Sequence, residues 1–260
     1  MTLGPQETTA IHPRLLKCAL AIPESRAYWF HTDGTTRVSA ALAFHEYWFG
    51  ARSLAWIQEL LSNMRARFDA FPAALSVLHR WPHMSPDTRR TLCHWHLQLS
   101  DPLYRAFTAE FLLHRRDTAQ ATVTRDLTVA WIAQQTGDRW TVPTRIQLAR
   151  KLISAAHSAG LVAATRKVCP LVFPHVPDEA IAYLFYLLRQ TRFAGTLTDN
   201  PYLLSLGLDA PALERRHRRL PGLVIFRQGA LVDIQWHSPN LVAWADAVIT
   251  PAPRLAGGAP

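Results

Sequence analysis

Between residues 139 and 177 the sequence carries four Arg, two Lys and two His, and not one Asp or Glu. Cations without carboxylates are what a polyanion selects, because phosphates repel acidic side chains, whereas a merely solvated face mixes both signs. The spacing puts many of them on one helix, expected over 144–159. At 100° per residue, Ile146, Leu148, Ala149, Leu152, Ile153, Ala155, Ala156 and Ala159 share one arc. Gln147, Arg150, Lys151, Ser154, His157 and Ser158 share the other. Gly160 suits the left-handed residue that stops a helix. Two short strands are expected next, over 161–164 and 168–173, around a basic tip at Thr165, Arg166 and Lys167. A helix followed by a basic hairpin is the order of a winged helix-turn-helix, with the helix facing a groove and the tip reaching phosphates. A polar helix face also arises from solvation alone, so the competing reading is a surface that binds nothing.

A second candidate lies nearer the start. Residues 35–48 read as a helix with Val38, Leu42 and Phe44 buried. A turn, Phe49-Gly50-Ala51-Arg52-Ser53, leads to a helix over 54–68 that Ser53 can cap. This too outlines a helix-turn-helix. Its outward residues are expected to be Arg52, Gln58, Asn63, Arg65 and Arg67, but also Glu59, so the charge there is mixed.

His79 with His83, and Cys93 with His94 and His96, supply metal-ligand types. Pro82 interrupts the first pair, however, and His94 and His96 point to different helix faces, so no metal site is expected. The run Glu214-Arg215-Arg216-His217-Arg218-Arg219 reads equally as a solvated helix end or a nucleic-acid contact. No nucleophile elbow, phosphate loop, dinucleotide fingerprint or HExxH is present, and acidic residues are not paired at catalytic spacing. The expectation is therefore a non-enzyme without cofactors.

The elements that must position these residues read as mainly helical. The chain has 260 residues, 49% of them hydrophobic, with nine Trp and eleven Phe, enough for a sizeable core. Formal net charge is +9, and the 28 basic residues comprise 25 Arg and three Lys. That balance suits a polyanion partner, although an Ala- and Arg-rich composition also follows from a GC-rich genome. Three scattered Cys imply no disulfide framework, and a reducing cytoplasm is the expected compartment. No signal peptide or membrane-length apolar run is apparent.

In chain order, residues 1–13 read as a loose polar arm. Short helices follow over 25–31 and 73–79, then longer ones over 85–99, 101–115 and 124–135, so that three helices (101–115, 124–135, 144–159) precede the wing. An apolar helix is expected over 178–193, with short ones over 200–206 and 212–219. Residues 223–236 alternate around Gln228-Gly229 as a β-hairpin. The Pro/Ala/Gly-rich tail is expected to be disordered. The divisions expected are 1–85 (N-terminal helices), 86–195 (helical bundle with the wing), 196–250 (C-terminal helices and hairpin) and 251–260 (tail).

Several short motifs then stand in a telling order. They are Pro23-Glu24-Ser25-Arg26, the Phe49–Ser53 turn, Arg67-Phe68, Tyr104-Arg105-Ala106-Phe107 with Glu110-Phe111, and the helix ending in Gly160-Leu161. In order and spacing this resembles the BrxA family, the small A component of bacteriophage exclusion (BREX) defence systems, over roughly residues 15–190. The resemblance implies a mostly helical, non-enzymatic protein with helix-turn-helix and winged-helix-like parts that binds double-stranded DNA. At fold level it is also similar to the RNA-binding antitermination factor NusB. An alternative within the same defence complex is an interaction scaffold, with the apolar residues of 180–206 and the hairpin contacting other BREX subunits.

Overall fold

Most helices begin where a short polar side chain satisfies a free backbone N–H. In the computed structural model, which describes residues 4–229 and 231–250, eight residues cap in this way. Ser39, Ser53, Ser85, Asp101, Thr124, Asn200, Asp209 and Asn240 each accept from the N–H three residues on. Such a cap is worth about 1 kcal/mol. Pro72, Pro86, Pro102 and Pro201 occupy the first helical position, where no N–H is needed.

The helices are α1 (Ile22–His31), α2 (Ala40–His45), α3 (Leu54–Phe68), α4 (Pro72–His79), α5 (Pro86–Ser100), α6 (Pro102–Ala106) and α7 (Leu112–Arg116). A π-helical turn, Phe107–Phe111, joins α6 to α7. Strand β1 (Thr122–Val123) precedes α8 (Arg125–Thr136) and α9 (Val142–Ser158), and β2 (Cys169–Pro170) follows them. Then come α10 (Asp178–Leu188), α11 (Pro201–Leu204), α12 (Ala210–Glu214), the hairpin β3 (Leu223–Gln228) and β4 (Leu231–Trp236), and α13 (Leu241–Val248). The fold is mainly α with a small C-terminal hairpin, as the sequence predicts. The hairpin pairs Leu223 with Trp236 through to Gln228 with Leu231.

The core is one continuous cluster from Leu15 to Ala245. Its axis is α5, every residue of which is buried from Thr91 to Ser100. It packs against α1, α3, α6 and α10. Helix α10 is buried from Ala180 to Leu188, so it is spent on the core and is unavailable as a partner surface. It also stops short of the expected residue 193. Helix α13, which the sequence reading passed over, closes the base. Trp244 stacks on Tyr186 with centroids 5.8 Å apart and donates its indole N–H to the Pro221 carbonyl at 2.8 Å.

Two expectations fail near the N-terminus. The described part of the arm is a strap, not a loose segment. Glu7 is buried, its N–H donates to the Arg192 carbonyl at 3.0 Å, and its carboxylate accepts from Ala194 N–H at 3.0 Å and from the Tyr202 hydroxyl. Arg105 reaches the same carboxylate at 3.6 Å and donates to the Thr8 carbonyl at 2.9 Å. The helix expected over 35–48 shrinks to α2. It buries Ala43, while Leu42 and Phe44 are exposed and Val38 is half-buried. Its apolar residues outnumber the positions that a single turn and a half can turn inward. The tail over 251–260 lies outside the described residues.

Candidate nucleic-acid interface

The segment 102–173 builds a small sheet against three helices. Thr122 pairs with Pro170, Val123 with Cys169, and Val162 with Leu171, all antiparallel. Leu171 N–H donates to the Ala121 carbonyl at 2.8 Å, while Ala163 N–H donates to Pro170 at 3.0 Å and Val172 N–H to Leu161 at 3.0 Å. Residues 169–171 therefore lie between a strand from before α8 and a strand from after α9. The order helix, strand, helix, helix, strand, tip, strand is the winged-helix order. The strands expected over 161–164 and 168–173 reduce to a bridge at Val162 and the two-residue β2, and the first strand is too short to announce itself.

Arginines hold this sheet to the helices. Arg115 Nε donates to the Thr122 carbonyl at 3.1 Å. Arg116 Nη2 donates to the Val172 carbonyl at 2.6 Å, and its guanidinium lies 3.9 Å from the Phe173 ring centroid. Burial brings the Arg116 pKa down to about 10. These two cations face protein carbonyls and contribute little charge to solvent.

Helix α9 turns its two arcs as the periodicity demands. Leu148, Ala149, Leu152, Ile153, Ala155 and Ala156 are buried, while Gln147, Arg150, Ser154, His157 and Ser158 are exposed. It ends where Leu161 N–H returns to the Ala156 carbonyl at 2.8 Å. Gly160, at φ +78°, makes that return possible, and a Cβ there would sit 3.0 Å from Pro174. The tip, residues 163–168, follows. Cys169 anchors it from below, its buried thiol donating to the Arg166 carbonyl at 3.1 Å. Arg166 and Lys167 are exposed.

One recess lies between α9, the tip and the start of α8. Arg125, Arg150, Ser154, Thr165, Arg166 and Lys167 line it. Asp126 also lines it, 3.4 Å from Arg125. Four cations thus face one carboxylate. Arg125 escaped the sequence reading, yet it left a signal. It occupies the first position of α8, where the helix dipole disfavours a cation.

The remaining candidates part company. Gln147 is exposed on α9 but is not among the residues lining the recess. His157 is outside it as well, and its Nδ1–H donates to the Val162 carbonyl at 2.9 Å. Lys151 is half-buried on the side where α9 packs against the turn Arg14–Leu16. There its charge acts on the Cys18 thiol, whose pKa burial raises and Arg67 and then Lys151 lower. Arg52 lies on the α2–α3 turn with its guanidinium 5.2 Å from the Trp56 ring. Arg65 donates to the Val38 carbonyl and is half-buried. Neither joins the recess, and Asn63 and Arg67, expected on the same outward face, are buried.

The histidines are internal. His94 sits between the Tyr104 hydroxyl and Ser205 Oγ, both at 2.9 Å. Ser205 already donates to the Tyr202 carbonyl, so it accepts from His94 Nε2–H, and Tyr104 donates to Nδ1. His96 bonds the Tyr183 hydroxyl at 2.8 Å. Burial lowers both pKa values to about 3. His79 instead bonds the Trp29 carbonyl at 2.8 Å. Among the described residues no group of three or more His, Cys, Asp or Glu is arranged to hold a metal ion. In the Arg215–Arg219 run, Arg216 and Arg219 reach Asp178 at 3.3 and 3.4 Å, leaving Arg215 and Arg218 exposed.

No protein-family model matches the chain, and no curated protein matches it. Among solved structures, the crystal structure of an uncharacterized protein from Magnetospirillum magneticum is similar, with a TM-score of 0.54 at 14% identity. The match covers 70% of this chain and 98% of that one. At that identity the likeness speaks for the fold alone.

Proposed function

We propose that this chain is a non-enzymatic, cytoplasmic accessory protein that binds double-stranded DNA in a BREX-type anti-phage defence system. The observation that carries the DNA reading is the recess in which Arg125, Arg150, Arg166 and Lys167 meet across a winged-helix arrangement. Four cations on three separate elements follow a phosphate path better than one cluster does, because they bracket a duplex from helix and tip. The BREX assignment rests on the motif order resembling the BrxA family. Several of those motif residues have internal work, which explains why their spacing carries information. Arg67 donates to the Leu20 and Ala19 carbonyls at 2.7 and 2.8 Å, and Arg105 ties down the N-terminal strap. The cytoplasmic reading is in keeping with the described helices, none of which is long and apolar enough to cross a membrane.

Fluorescence anisotropy with labelled duplex DNA, single-stranded DNA and RNA of one sequence tests the reading. Duplex binding is expected to be the tightest, with little sequence preference. Preference for RNA would favour the NusB-like alternative instead. A scaffold reading has its own support in Phe226, Leu231 and Val232, which the hairpin leaves 49%, 76% and 40% exposed. It predicts binding to another subunit of the defence complex that survives loss of the recess cations.

A further inference from the structure

A second concave site lies away from the winged-helix recess, where α1, the end of α4 and the start of α5 meet. Arg26, Trp29, Phe30, Arg80, Trp81 and Arg89 line it, and no Asp or Glu does. Its cations are unequal. Arg80 is engaged by Asp246 at 2.6 Å. Arg89 donates to the Met84 carbonyl at 3.0 Å but has no carboxylate partner among the pocket residues. Burial and then the charge of Arg26 lower its pKa. Arg26 is exposed and repels Arg89 across the pocket. Two guanidiniums held together with no acid between them are stabilised by an anion from outside.

The apolar lining narrows the choice of anion. Trp29 is buried in the floor, Trp81 is half-buried, and Phe30 stands at the rim with 74% of its surface exposed. An exposed phenyl ring beside unpaired guanidiniums suits a ligand with a flat aromatic face and a negative group. Inorganic phosphate would leave the rings unused, and an uncharged base would leave the guanidiniums unused. We propose that this pocket binds a mononucleotide, its base against Phe30 and Trp81 and its phosphate held by Arg26 and Arg89.

Isothermal titration of the full chain with adenosine 5′-monophosphate tests this, with adenosine and inorganic phosphate as separate arms. The mononucleotide is expected to bind with a Kd below about 1 mM, and each half alone about tenfold or more weaker. Arg26→Glu, at an exposed position where the change also relieves repulsion with Arg89 and so is not expected to lower melting, is expected to weaken the mononucleotide at least about tenfold. Phe30→Ala is expected to weaken it by roughly fivefold or more. Arg166→Ala with Lys167→Ala is expected to leave it unchanged. Four results would overturn the proposal: no measurable heat with the mononucleotide, phosphate alone binding as tightly, full affinity in both pocket variants, or loss in the wing variant. That last result would move the nucleotide into the DNA recess. The DNA reading is tested separately by duplex anisotropy, so either can fail alone.

Discussion

The chain holds two helix pairs that look alike on paper and differ in what their arginines face. In α2–α3, Arg65 is turned to the Val38 carbonyl and Arg52 lies over Trp56, while Glu59 and Asp69 share the helix and its end. Around α2 several large apolar side chains are exposed, among them Phe30, Leu42, Phe44 and Tyr47. In α8–α9, Arg125 and Arg150 line an open recess, joined there by the tip, while Arg145 is turned to the Gly137 carbonyl. The number of basic residues does not separate the two regions. Their partners do: a guanidinium bonded to a main-chain carbonyl holds the fold, and one facing an empty recess is available to phosphate.

Acid is expected to have the largest effect, because each region leans on a buried histidine of α5. His94 bonds Tyr104 of α6, at the foot of the winged-helix segment, and the His96 ring lies 4.9 Å from Phe68 of α3. Both imidazoles have folded pKa values of about 3, below the unfolded value near 6.5. Between those values the unfolded chain binds more protons. Stability is therefore full above about pH 6.5 and falls as pH drops toward 3, by about 1.4 kcal/mol per pH unit for each histidine. From pH 7 to 5 the pair gives up at most about 4 kcal/mol. Asp101, raised by burial, works in the opposite sense. Urea melts at the two pH values measure it; equal stability at both would contradict the buried, neutral assignment.

Arg65→Ala is expected to come next, and it sharpens the contrast. Losing the bond to Val38 should lower stability by about 1–2 kcal/mol while duplex affinity below the melting range stays within about twofold. A DNA loss without a melting shift would return Arg65 to the interface. Arg52→Ala is expected to do least, changing stability by less than about 0.5 kcal/mol and leaving DNA binding unchanged. A marked affinity loss in Arg52→Ala would make the first helix pair a second DNA contact.

The sequence made local features plain and hid distant ones. Caps such as Ser53, Ser85 and Thr124 act on the residue three positions on, so these three helix starts are legible within a residue or two. The buried arc of α9 followed directly from its period. What could not be read was an arginine's choice of partner. Arg65 reaches back 27 residues to Val38, Arg116 reaches 56 forward to Val172, and Arg216 reaches 40 back to Val176. In the sequence Glu7 reads as part of a polar arm because its partners, Ala194 and Tyr202, stand nearly two hundred residues away. The strand at Thr122–Val123 is two residues long and acquires its identity only from Cys169 and Pro170. Lys151 shows the limit of helix periodicity, since a wheel cannot know that the turn Arg14–Leu16 packs beside it.

The salt dependence of duplex binding tests the central claim most directly. It is to be compared between the parent chain and Arg150→Ala, Arg166→Ala, Lys167→Ala in combination. All three residues are exposed, so melting should match the parent. Log affinity of the parent is expected to fall linearly with log salt, by about 0.9 per phosphate neutralised, and the triple variant's slope to be shallower by about three such contacts. At fixed moderate salt its affinity should be lower by about 10- to 100-fold. A companion variant, Arg215→Ala with Arg218→Ala, should keep the parent slope. If the triple variant melts and binds like the parent while the companion loses DNA, the recess is not the interface and the C-terminal arginines are.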